Sequence, residues 1–134
     1  MNAILKNTGA VVLGWFGGSL LNMGLIQAGH AILPIPGLDP NDMDALAALM
    51  PTLPFKYFIF PFLAHALGTL LGAIIAFKIA STHKAKFAYA IGVLFLFGGI
   101  AMTFIIKGPI WFTIADLVLA YIPMSCLALK IVKK

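Results

Sequence analysis

The chain has 134 residues, 62% of them hydrophobic and only 10% charged, with a mean hydropathy of +1.06. Soluble domains carry about 25% charged residues, so a soluble globular fold is excluded and lipid must be part of the solvent. The net charge of +5 does not mark a nucleic-acid binder: all nine basic residues are lysines that flank apolar runs, and without arginine there is no bidentate fork for phosphate.

A helix needs about 20 apolar residues to cross hydrocarbon, and four stretches qualify, over about residues 8–31, 57–77, 87–106 and 111–129. The first follows Lys6 and ends near Ala28-Gly29-His30-Ala31, an order that signal peptides share. Its length exceeds the usual hydrophobic region of about 7–15 residues, and it carries Gly14, Gly17, Gly18, Asn22 and Gln27, so a retained helix is expected. Each span must satisfy its own backbone hydrogen bonds in lipid, which requires helices. No in-and-out alternation suggests a barrel. The expected fold is all-α: one polytopic membrane domain over residues 1–134, a four-transmembrane-helix bundle with a short amphipathic helix in its first outer loop.

That loop reads PIPGLDPNDMDALAALMPTLPFK over residues 34–56. Asp39 is placed to cap a helix over about residues 40–50, with Pro40 at its first position and Asp42 as capping partner. Met43, Leu46, Ala47 and Met50 then form an apolar stripe. The helix is too short to span, so it is expected to lie on the membrane surface or over the bundle mouth, as connector or as lid. The three aspartates 39, 42 and 44 lack the glycine and terminal glutamate of a calcium loop. No metal site is expected.

Ser81-Thr82-His83-Lys84-Ala85-Lys86 forms the second connection and Lys107-Gly108-Pro109-Ile110 the third, a tight turn that makes the last two spans an antiparallel pair. With four spans the termini share a side. That side holds Lys6, Lys78, Lys84, Lys86, Lys130, Lys133 and Lys134, against Lys56 and Lys107 on the other. The asymmetry places both termini in the cytoplasm and the aspartate-bearing loop outside, in a bacterial inner membrane. Trp15, Tyr57, Tyr89 and Trp111 lie near span ends, as interfacial anchors do.

Small residues recur at a spacing of four: Gly14 and Gly18; Ala64, Gly68, Gly72 and Ala76; Ala88 and Gly92, with Gly98-Gly99 beyond. They let helix backbones approach closely. Spacing alone does not say whether the contact is within the chain, with a second copy or with another membrane subunit. Cys126, the single cysteine, allows no internal disulfide and reads as a packing residue.

Ionisable groups at membrane depth are functional candidates. Asp116 lies about 8 Å inward from Trp111, His65 about 12 Å inward from Tyr57, and Asn22 about 13 Å inward from Ala31, at 1.5 Å per residue. All three fall in the outer half of the membrane, and His65 projects beside the Gly68–Gly72 ridge. His65, Asp116 and Asn22 are therefore expected to converge, with Thr69, Thr113 and Tyr121 around them. Such a cluster can bind a ligand, hold a proton or join helices. His30 lies near the surface and His65 deeper, so paired haem ligation is not expected and no cofactor is assigned. Pro61 and Pro123 are each expected to bend a span.

The pairing of FIFPFLAHALGTLLGA (58–73) with WFTIADLVLAYIPM (111–124) resembles a group of small bacterial four-span membrane proteins. The resemblance covers nearly the whole chain and implies no activity. Small multidrug exporters carry a glutamate in their first span and small fluoride channels an arginine after a glycine-rich stretch; this chain has neither. Hydrolase, P-loop and dinucleotide motifs are also missing, so enzyme activity is not the leading reading. Three functions stay open. The first is an outward-facing pocket between spans one, two and four that binds or transports a small molecule or lipid. The second is an accessory subunit docking through its glycine ridges. The third is an intramembrane enzyme using His65 and Asp116.

Overall fold

Asn2 opens the first helix, its side chain accepting a hydrogen bond from the Ile4 amide at 2.9 Å. In the computed structural model, which describes residues 2–134, that helix (α1) runs over Ala3–Ile32. It is followed by α2 (Met43–Leu49), α3 (Ile59–Ile79), α4 (Lys84–Ile105), α5 (Ile110–Leu119) and α6 (Ile122–Val132), with no strand among the described residues. Short 3-10 turns over Met50–Thr52 and Phe55–Phe58 lead into α3. Four helical stretches, of 30, 25, 22 and 23 residues, are long and apolar enough to cross a membrane. The fold is the expected four-helix bundle.

The boundaries differ from the sequence reading in physically interpretable ways. Hydropathy marks the stretch that tolerates lipid, whereas the helix runs on through polar residues, so α1 begins five residues before Thr8. The loop helix is capped by Asp42, which accepts from the Ala45 amide at 3.0 Å. Asp39 caps no helix; it closes a local turn on the Asn41 amide at 2.9 Å. Pro61 does not bend α3, because it lies in the first turn, where its missing N–H has no intrahelical partner to lose. Pro123 does break the fourth span. Its ring would meet the carbonyl four residues back, at Leu119, and α5 ends at that residue.

Side-chain size is sorted inside out. The buried core is built from Ala10, Ala64, Ala73, Ala76, Ala88 and Ala128 with few large residues among them, while Ile4, Trp15, Phe16, Leu20, Phe97 and Phe104 point outward. Lipid supplies no hydrophobic drive for helix association, so close packing of small residues carries it. A Cβ on Gly18 would stand 2.5 Å from the Gly68 carbonyl oxygen, and one on Gly72 2.6 Å from that of Gly14. The ridges on α1 and α3 therefore face each other within the chain. Gly92 likewise meets Ser125 on α6.

Asn7 fastens the end of the bundle that carries the termini. Its Oδ1 accepts from the Ser81 amide at 3.0 Å and its Nδ2 donates to the Thr82 hydroxyl at 2.7 Å. This ties α1 to the α3–α4 turn, where His83 adopts φ 45°. In the same half, Ile91 of α4 fills the space beside Gly14 and Gly72, and Phe95 reaches Gly18. That half is solid. The half toward the 33–58 loop is hollow.

The ridge contact makes a quantitative prediction. Gly68→Leu must force α1 and α3 apart and should cost at least about 2 kcal/mol in a reversible unfolding titration in mixed micelles. Gly24→Leu, where a new Cβ meets nothing within 4 Å, should be close to neutral.

Candidate functional site

The hollow half encloses a cavity of about 670 Å³. Its walls come from α1, α3, α4 and α5, and its roof from the loop. The stripe expected on the loop helix faces it: Met43, Leu46 and Met50 all line the cavity. Four of the chain's six methionines, Met23, Met43, Met50 and Met102, do so. Methionine is flexible and polarizable, so such a lining adapts to irregular apolar shapes.

The floor is polar. His65 Nδ1 lies 2.8 Å from Asp116 Oδ1, joining α3 to α5. The Tyr121 hydroxyl donates to the other carboxylate oxygen at 3.0 Å, and the His65 and Tyr121 rings stack with centroids 5.9 Å apart. Asp116 is buried with both oxygens engaged, whereas the His65 side chain keeps 23% of its exposure. With Asp116 ionised, the carboxylate can only accept, and Nδ1 then supplies the hydrogen of this bond. Nε2 makes no hydrogen bond among the described residues and is not occluded, and His65 lines the cavity.

Several contacts hold the floor in place. Gly99 leaves room for the Tyr121 ring; a Cβ there would collide with the phenol hydroxyl. At the rim, Phe58 packs against Trp111 and Phe112 with centroids 5.3 and 4.7 Å away, and Phe55 stacks on Trp111 at 5.4 Å. These rings fix the start of α5 against the entry to α3, one to two turns above the His65–Asp116 bond.

Of the six residues expected in the polar cluster, the structure places Asn22, His65, Thr113 and Asp116 on the cavity lining. Tyr121 lies behind Asp116 and off the lining. Thr69 is fully buried, its hydroxyl turned back onto the His65 carbonyl at 2.8 Å. Gln27 and His30 line the cavity as well. His30, expected near the membrane surface, has its Nδ1 buried without a hydrogen-bond partner. The third span, which that reading left out of the pocket, contributes Met102, Thr103 and Ile106. Its signal was the Gly98-Gly99 pair, which marks where α4 makes room. Lys56, from the turn before α3, is the one lysine on the lining. Among the described residues no group of three histidine, cysteine, aspartate or glutamate side chains is placed to hold a metal ion.

No protein-family model, curated protein or solved structure matches this chain.

Tyr121→Phe keeps the stacked ring but removes a donor from a buried carboxylate. It should lower stability by about 1–3 kcal/mol. Gly99→Ala should produce a comparable loss by displacing the same ring, and combining the two should cost less than their sum in the same unfolding titration.

Proposed function

We propose that this protein is a small multi-pass protein of a bacterial inner membrane that takes an amphipathic small molecule or lipid into its cavity, to hold it or carry it across. The observation that carries the reading is the cavity itself: a mostly apolar space of about 670 Å³ with the hydrogen-bonded His65–Asp116 pair on its lining and Asn22, Gln27 and His30 on the facing helix. Ligand sites combine mostly apolar walls with a few fixed polar groups, within about 300–1,000 Å³. The lysine asymmetry, seven against two, supports cytoplasmic termini and a cavity that opens outward.

An intramembrane acid–base role is a second reading, favoured by one observation. His65 is held by Asp116 through Nδ1 and lines the cavity with Nε2 unbonded among the described residues, the arrangement of an oriented general base. Against it, no hydroxyl or thiol is hydrogen-bonded to the His65 imidazole among the described residues; the Thr69 hydroxyl bonds the His65 backbone carbonyl instead. The accessory-subunit reading loses its proposed docking faces, because the glycine ridges of α1 and α3 are taken up by each other. A partner would have to use the large outward apolar side chains.

Two measurements test the proposal. Thr103 lines the cavity, and Thr103→Trp should fill it; native mass spectrometry should find a bound amphiphile on the gently purified wild type and none on the variant, with helicity unchanged. In a Cys126→Ala background, Asn41→Cys should react with a membrane-impermeant maleimide in intact cells, and Lys84→Cys only after permeabilisation. The reverse pattern would overturn the orientation.

A further inference from the structure

We infer that the floor of the cavity is an exchange site for one proton or one lipophilic primary ammonium ion, each taken up at His65 Nε2. The inference rests on the ligand-pocket reading above and names the ligand's chemistry. Asp116 lies 2.8 Å from His65 Nδ1 and accepts from the Tyr121 hydroxyl; with Asp116 ionised and one hydrogen on the ring, the pair carries a net charge of −1. A net charge at membrane depth is expensive. Two events cancel it: a second proton on Nε2, or an R–NH3+ group donating a hydrogen bond to the Nε2 lone pair. Loading the amine therefore releases the proton from Nε2 to water, and no covalent bond to the ligand forms or breaks.

The surrounding groups leave this balance to the floor. Around the cavity, α1 contributes the amides of Asn22 and Gln27 and the imidazole of His30; α4 contributes no titratable side chain, and α5 only Asp116. Tyr57 and Lys56 come from the turn before α3, and the loop helix contributes Met43, Leu46 and Met50. Tyr121 faces Asp116 with its hydrogen already committed. Lys56 lies nine residues before His65, at the loop end, so it favours anions at the rim and does not neutralise the floor. Among the described residues no group of three histidine, cysteine, aspartate or glutamate side chains is placed to hold an inorganic cation. An alkyl ammonium finds an acceptor at the floor, with methionine and aromatic walls for its chain; Phe60 and Phe112 line the same space.

The test is isothermal titration of the protein in lipid nanodiscs with octylamine, octan-1-ol and octanoate, corrected for uptake by empty nanodiscs and run in two buffers of different ionisation enthalpy. Octylamine should bind at least about tenfold tighter than the other two. It should release up to one proton per ligand, and its affinity should fall by up to about tenfold per pH unit as the medium is acidified, because the proton competes for Nε2. His65→Gln should bind all three alike, with no proton release. The wild-type series decides the matter even if that variant does not fold. Equal binding of the three without proton release would overturn the exchange site and leave the pocket standing. Tightest binding of octanol or octanoate would also overturn it. No binding of any of the three would overturn both the exchange site and the pocket.

Discussion

A carboxylate buried in hydrocarbon has to be satisfied from within the chain, and the bond from Asp116 to His65 is how this fold does it. The requirement is severe because the side chain is almost wholly buried and a buried charge without partners is costly. It fixes the depth at which α3 and α5 must face each other, and so the level at which the bundle changes character. Toward the termini, alanine and glycine bring α1, α3, α4 and α6 into close contact. Toward the loop, the larger side chains at the rim hold the helices apart over a cavity whose floor is that bond.

The break in the fourth span belongs to the same arrangement. On a continuous helix, Asp116 and Tyr121 would point about 140° apart, and the phenol could not reach the carboxylate. Pro123 ends α5 at Leu119, and Tyr121 turns back with φ −117° and ψ −81° to donate to Asp116. Gly99 on the neighbouring helix supplies the space the ring needs. A proline, a glycine and a tyrosine on two spans thus serve one carboxylate.

Much of this was legible in the sequence because the bilayer leaves few choices. The four spans follow from length and hydropathy, and the pairing of His65 with Asp116 follows from matched depth and from the cost of leaving either alone. The glycine spacing announced close helix contact, although only the three-dimensional register of Gly14 with Gly72 and Gly18 with Gly68 shows that the partner is the same chain. Other features were not legible for definite reasons. Two aspartates three residues apart could each cap the loop helix, and propensity does not choose between them. Tyr121 was expected near the cluster and Pro123 was expected to bend the span, but no local pattern shows that the helix ends at Leu119 and turns the phenol onto Asp116. The Asn7 link to Ser81 and Thr82 joins residues 74 and 75 positions apart, and no local pattern announces it.

The claim on which the rest depends is that His65 and Asp116 hold each other at the cavity floor. A double-mutant cycle measures it most directly, with His65→Leu, Asp116→Leu and the double variant unfolded reversibly in mixed micelles. The account predicts a coupling energy of at least about 1 kcal/mol, each single change leaving the other group unpaired and the double change costing less than the sum. Additivity to within about 0.3 kcal/mol would show that the two residues do not interact, and would contradict it.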